Sequence, residues 1–242
     1  MPAAADCALV TLQIGQAPYF EPARRHFRRV CARFGWDFHI IDQRKWRWLP
    51  VRRAVRRIQF EKFQVFDLLG AYRRVCFLDS DILPTPDLPN LFEAVPQTHF
   101  GCVNEEVGPL AWKRAQERER ALAKQPTPAW TERYFNSGMM VFSSEHRELV
   151  RLERRRLIGG RWAEQTTLNL RAYQHGVPIL WLAPAFNFLP VFDHWHHPDQ
   201  RLQAHLIHYA GSEGKAVYAS DLERIDALWR QAEPTAQPAR AP

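Results

Sequence analysis

Several features that would settle a protein's class at once are missing from this sequence. Cysteine is scarce: the 242 residues hold only Cys7, Cys31, Cys76 and Cys102. None stands in C-x-x-C spacing and most lie in apolar runs, so a disulfide framework is excluded and reduced thiols are expected. No apolar run approaches the ~20 residues of a membrane-spanning helix. The start, MPAAADCALVTLQIG, has no basic stretch ahead of an apolar one, so no secretory signal and a cytoplasmic protein are expected. There is no internal repeat. Low complexity is confined to the tail EPTAQPARAP (233–242), expected to be disordered, which leaves 1–232 as one domain. Glycine-rich phosphate loops are also lacking. QIGQAP is a poor one, which weakens a metal-dependent nucleotidyltransferase reading.

Acidic residues are absent from one long stretch, QRKWRWLPVRRAVRRIQF (43–60), which carries seven cations. The whole chain has a net charge of +7 and a pI near 9.5. Such a balance favours an anionic partner: a nucleotide, a nucleic acid or a membrane surface. For nucleic acid, arginines would hold phosphates and Trp46 or Trp48 would stack on bases, but no nucleic-acid-binding motif surrounds them. A peripheral contact with an anionic membrane or acceptor suits cations interleaved with tryptophans better.

With hydrophobic residues at 46% and aromatics at 12%, the composition is that of a packed globular domain. CALVTLQIG (7–15) reads as a buried strand, and YFEPARRHFRRVCARFG as a helix with Phe20, Phe27, Val30, Cys31 and Phe34 inward and Gly35 as its stop. DFHIID is a second strand, 58–69 a helix capped by Gly70, and RVCFLDSDI a third strand. Further strands are expected at 99–104, 134–143, 178–184 and 204–211. Helices are expected at 110–124, 145–157, 162–174 and 220–232. This alternation predicts an α/β fold with parallel strands and crossover helices, whose ligands gather at the carboxyl ends of strands.

Asp79 and Asp81 stand at such an end, in VCFLDSDILPTPDLPNLF (75–92). Alone, a D-x-D pair is weak evidence, since a chain of this length contains one by chance roughly half the time. Two adjacent carboxylates repel unless a cation lies between them, and hard oxygen ligands suit Mn²⁺ or Mg²⁺. Read in isolation, Asn136–Gly138 is a turn, His208 a core histidine and Lys62 a solvated helix residue.

Their joint order changes that. RVCFLDSDILPTPDLPNLF resembles the D-x-D segment of the glycogenin-like, lipopolysaccharide galactosyltransferase-like retaining glycosyltransferases of family 8. Lys62 resembles a family lysine, FNSGMMVF (135–142) the Phe-Asn-x-Gly strand, EQTTLN (164–169) the Asp-Gln-x-x-Leu-Asn helix start, and LIHYAGSEGK (206–215) the His-x-x-Gly…Lys element. The resemblance implies a GT-A, Rossmann-like fold with a mixed, mostly parallel central sheet flanked by helices. It also implies transfer of a hexose from a UDP-sugar to a saccharide, glycolipid or lipopolysaccharide-type acceptor, with retention. By the same resemblance Asp79, Asp81 and His208 would ligate Mn²⁺ or Mg²⁺, with Ser80 beside the donor. Lys62 would approach the sugar-nucleotide, Asn136, Glu164 and Gln165 would serve the sugar, and Gly211 and Lys215 would hold the diphosphate. Tyr19 would stack on uracil and Thr11 would mark the nucleotide end of the first strand.

The sequence departs from the family pattern at Glu164, where Asp is usual, at Thr166, and in the spacing before Lys215. FDHWHHPDQ (192–200) matches no zinc spacing. In the resemblance it flanks the acceptor cleft, which places Asp193 and His194 near the acceptor.

Overall fold

The structure, a computed structural model, describes residues 6–46, 58–192 and 198–232. Six strands form the main sheet: β1 (Cys7–Leu12), β2 (Asp37–Ile41), β3 (Arg74–Leu78), β5 (Phe100–Asn104), β6 (Phe135–Ser143) and β7 (Ile179–Leu182), in the order β2-β1-β3-β6-β5-β7. β1 runs parallel to β2 and β3, and β5 parallel to β7, whereas β6 is antiparallel to both of its neighbours. The sheet is therefore mixed, as the resemblance implied, rather than purely parallel as the alternation alone suggested. A second, two-stranded sheet pairs β4 (Ile82–Pro84) with β8 (Leu206–His208).

Both faces of the main sheet are covered. Along β3, Cys76 and Leu78 point into one core with Leu9, Phe27 and Val141, while Val75 and Phe77 point into the other with Val10, Met140 and Phe142. This two-residue alternation between two buried faces explains why the strands read as continuous apolar runs. Helix α1 (Phe20–Phe34) turns Ala23, Phe27, Val30 and Cys31 inward and stops at Gly35, whose φ of 70° accommodates the left-handed cap. All four cysteines are free thiols.

Three expected elements differ. The segment 58–69 is a 3-10 helix, Phe60–Gln64, running into a single α-turn, α2 (Val65–Leu68). Residues 144–150 are a 3-10 helix where an α-helix was expected over 145–157. The cause is Arg171, buried in α5 (Ala163–Gln174), which donates to the carbonyls of Glu148 and Leu149 that an α-helix would use internally. The last helix, α6 (Gly211–Ala232), starts nine residues before the expected Ser220. Short α3 (Leu91–Ala94) and the longer α4 (Ala111–Lys124) lie between β4 and β6. No helix of the described residues is long and apolar enough to cross a membrane.

Candidate metal and nucleotide site

Two sheets meet at the aspartate pair. As the chain leaves β3, the Asp79 N–H donates to Gly138 O of β6 at 2.7 Å, and the Ile82 N–H donates back to Asp79 O at 3.1 Å, closing a tight turn over Ser80 and Asp81. β4 then pairs antiparallel with β8, placing Ile82 opposite His208, and the Tyr209 N–H donates to Asp81 O at 2.9 Å. A strand far along the chain thus delivers an imidazole to the two carboxylates. His208 Nε2 lies 3.2 Å from Asp81 Oδ1 and 3.8 Å from Asp79 Oδ2, and one ligand atom from each residue falls within 4.8 Å of the others. The carboxylates are 22–23% exposed and the histidine 4%, so the cluster opens to solvent from the aspartate side.

The orientation of His208 is fixed by a chain of hydrogen bonds with unambiguous ends. The Gly138 N–H donates to Asn136 Oδ1 at 2.8 Å, and Asn136 Nδ2 donates to the Glu105 carboxylate at 3.0 Å. Asn187 must therefore donate its own Nδ2 to Asn136 Oδ1, at 3.0 Å, which leaves its carbonyl oxygen to accept from His208 Nδ1–H at 3.0 Å. Nε2 then faces the aspartates, with its lone pair available whenever the ring is neutral. Gly138 is needed here because a Cβ at this position would sit 2.3 Å from His208 Cε1 and 2.7 Å from Nδ1.

Lys62 reaches the site from the 3-10 helix. Its Nζ donates to Asp79 at 3.0 Å and to Ser137 O at 3.1 Å, and lies 3.7 Å from Glu164. Burial would lower the Lys62 pKa, but Asp79 and Glu164 outweigh it and raise it, so the ammonium stays charged. Glu164 is pushed up to about 7 by burial, with Lys62 opposing and Asp79 adding to the rise. Burial acts to raise Asp81, yet His208 and Lys62 hold it below its ordinary value. His208 is raised, because Asp81 and Asp79 outweigh its burial.

Beside this cluster lies a cavity of about 290 Å³ lined by Leu12, Ile14, Tyr19, Lys62, Asp79, Ser80 and Asp81 among others. Tyr19 is half-buried at its wall, edge-on to Tyr218, and its hydroxyl pKa is raised by burial and then by the Asp81 and Asp79 charges. Of the residues the sequence singled out, the fold brings together Tyr19, Lys62, Asp79, Ser80, Asp81, Glu164 and His208. Asn136 and Gln165 lie behind them, buried. Gln165 accepts from the Ser137 N–H at 3.0 Å and donates to Glu105 at 2.7 Å. Thr11 is buried within β1 and does not line the cavity, and its Oγ1 has no hydrogen-bond partner among the described residues. Gly211, with φ of 77°, opens α6 three residues after His208, and Lys215 lies exposed one turn further on. Neither lines the cavity. Asp193, His194, the tail 233–242 and residues 47–57 of the basic segment lie outside the described residues. At the described edge of that segment, Lys45 pairs with Asp67 at 2.6 Å, and the Lys45 and Trp46 N–H groups donate to the buried Glu61.

Sequence reasoning missed Glu105, Ser137 and Asn187. Glu105 is the hub: it accepts from Asn136 and Gln165 and pairs with Arg114 at 2.7 Å. Ser137 stands inside the FNSG motif beside Asn136, Glu105 in the polar run Asn104–Glu106, and Asn187 between Phe186 and Phe188. Nothing local ties any of the three to the site, because their hydrogen-bond partners Asn136, Glu164 and Gln165 lie 27 to 60 residues away in sequence.

The donor set fits a divalent cation. The His208–aspartate distances of 3.2 and 3.8 Å are those of ligand atoms that share an ion bound at about 2 Å, the whole set lies within 4.8 Å, and two carboxylates with one neutral imidazole nitrogen suit Mn²⁺ or Mg²⁺.

The model of the family described as glycosyl transferase family 8 matches residues 24–216. Among solved structures, the galactosyltransferase LgtC in complex with donor and acceptor sugar analogs superposes with a TM-score of 0.63 at 16% identity, covering 96% of this chain and 98% of that one. A glycosyltransferase involved in glycosylation of the major capsid of PBCV-1 gives 0.60 at 11% identity, over 90% and 98% of the two chains. Mouse xyloside xylosyltransferase 1 gives 0.50 at 15% identity, over 87% and 98%. The architecture is thus that of GT-A glycosyltransferases. A sequence search among curated proteins finds no match.

Proposed function

The chain belongs to glycosyl transferase family 8, and we propose that it moves a hexose from a UDP-sugar to an acceptor hydroxyl, with retention and with a divalent metal held by Asp79, Asp81 and His208. The observation that carries this reading is the meeting of those three ligands with Lys62 at the wall of one cavity that also presents Tyr19. The cavity has an aromatic wall for a base, and beside it Lys62 and the two aspartates, which a divalent cation would turn into a site for phosphates.

In the reaction, the bond from the sugar C1 to the diphosphate oxygen breaks and its electron pair leaves with UDP. A bond forms from C1 to the acceptor oxygen, whose proton passes to the leaving diphosphate or to water. The bound metal would supply Lewis-acid stabilisation of the charge that develops on the diphosphate. Lys62, held charged between Asp79 and Glu164, supplies a second positive centre without proton transfer. Asn187 holds the His208 ring in the tautomer that leaves Nε2 open. Glu164 is buried beside Lys62 with its Oε2 accepting from Ser137, and it does not line the cavity, so it is poorly placed to attack the sugar C1. That supports front-face retention over a covalent intermediate.

UDP is expected to raise the melting temperature in the presence of Mn²⁺ and to do little in chelator. Acceptor-free hydrolysis, compared across UDP-glucose, UDP-galactose and UDP-N-acetyl sugars, identifies the donor. Absence of both effects would end this reading.

A further inference from the structure

A larger cavity, of about 580 Å³, shares no lining residue with the nucleotide cavity. It opens between the C-terminal ends of α1 and α6 and the chain that continues from β4. Its size falls within the ~300–1,000 Å³ usual for small-molecule sites. Arg29 and Arg33 line it from α1, four residues apart and so on one face of the helix, and the small Ala32 beside them leaves the space open. Trp229 of α6 is the opposite, apolar wall. It is 5% exposed, and its Nε1–H donates to Pro84 O at 2.9 Å, so the indole is fixed and its one donor is used. The Arg29 guanidinium lies 5.9 Å from the centre of that ring.

The lining carries two arginines against the single carboxylate of Asp87. Asp226 does not redress the balance. It accepts from Arg25 at 2.6 and 2.9 Å and lies 3.1 Å from His26 Nε2, while Arg29 approaches it only to 3.8 Å. Arg33 donates to a neutral acceptor, the Pro86 carbonyl, and forms no ion pair among the described residues. Two guanidinium forks on one wall match the oxygens of a phosphate, which carries a charge of about −1.5 to −2 at neutral pH and can accept from both at once. A carboxylate offers two oxygens and one charge, enough for a single fork. Trp229, Ala32 and Pro86 offer carbon surface beside the arginines, which suits an organic body attached to the phosphate.

We propose that this cavity binds a phosphomonoester, its phosphate between Arg29 and Arg33 and its organic part against Trp229. The inference does not depend on the sugar-transfer reading. A soluble metabolite and a lipid headgroup present the same chemistry to the arginines, and the test separates them.

Phenyl phosphate is titrated calorimetrically in chelator, where the bare Asp79 and Asp81 carboxylates repel a phosphate from the metal centre. One site per chain is expected, with phenyl sulfate, a monoanion of the same shape, binding about tenfold or more weakly. Arg29→Gln and Arg33→Gln should each weaken binding about tenfold or more. Ala32→Phe should abolish it by filling the cavity while both arginines remain, and Asp87→Asn should tighten it. Ala32 and Arg33 are exposed, so their variants report even if Arg29→Gln fails to fold. Phosphatidylcholine vesicles carrying phosphatidic acid form the second arm: co-sedimentation that Arg33→Gln abolishes assigns the phosphate to a lipid, and phenyl phosphate binding without it assigns a soluble ligand. Absence of both signals, equal affinity for phenyl sulfate, or binding that survives Arg33→Gln and Ala32→Phe overturns the inference.

Discussion

Replacing Gly138 by alanine adds one methyl group to the strand behind the metal ligands. In the fold as it stands, that Cβ would lie 2.3 Å from His208 Cε1, 2.7 Å from Nδ1 and 2.8 Å from Asn136 Oδ1, where ordinary contacts begin at 3.4 Å. The imidazole must therefore retreat by at least about 1 Å, several times the ~0.2 Å tolerance of a metal–ligand distance. It cannot retreat freely, because Nδ1 is bonded to Asn187 and the backbone around it is paired with β4. We expect Gly138→Ala to lower Mn²⁺ affinity about 10- to 100-fold and stability by about 1–3 kcal/mol. The assay is Mn²⁺ titration followed by electron paramagnetic resonance, with thermal unfolding alongside. Gly159→Ala is the control, because nothing lies within 4 Å of its added methyl. A Gly138→Ala chain that binds Mn²⁺ as well as the natural one refutes the claim that this glycine makes room for a metal-binding histidine.

Two more outcomes follow from the same geometry. Asn187→Leu removes the acceptor for His208 Nδ1–H and should weaken Mn²⁺ binding about 10- to 100-fold, and unchanged affinity would contradict the assigned hydrogen-bond chain. Glu164, its pKa raised to about 7 in the fold, contributes stability that is full below its unfolded pKa near 4.5 and lost as pH rises through 7. In chelator, Glu164→Gln should gain on the natural chain by about 2–3 kcal/mol between pH 5 and pH 8, measured by denaturant titration, and parallel curves would show that Glu164 does not titrate there.

The strands were legible because two buried faces make each one an unbroken apolar run, and the aspartate pair stood out at the end of such a run. Strand direction was not: nothing in FNSGMMVFS tells a parallel neighbour from an antiparallel one, because its nine buried positions look alike either way. The early start of α6 was hidden by GSEGK, since glycine disfavours helix interiors. Yet a Cβ on Gly214 would fall 2.3 Å from the Tyr209 carbonyl carbon, so the close turn after His208 needs glycine there. The 3-10 turn at 144–150 depends on Arg171, which its own local sequence does not reveal. The metal ligands could be named through a resemblance that fixed their order along the chain. Glu105, Ser137 and Asn187 acquire meaning only when β5, β6 and the segment before β8 converge, because their partners are distant in sequence.

In the proposed reaction one divalent cation joins Asp79, Asp81 and His208 to a uridine diphosphate. Calorimetric titration of Mn²⁺ in the presence of UDP tests it most directly, with Asp81→Asn beside Asp87→Asn, a surface change outside the site. The account expects one Mn²⁺ per chain for the natural protein and for Asp87→Asn, and no measurable UDP-linked binding for Asp81→Asn. Equal Mn²⁺ binding in all three would contradict it.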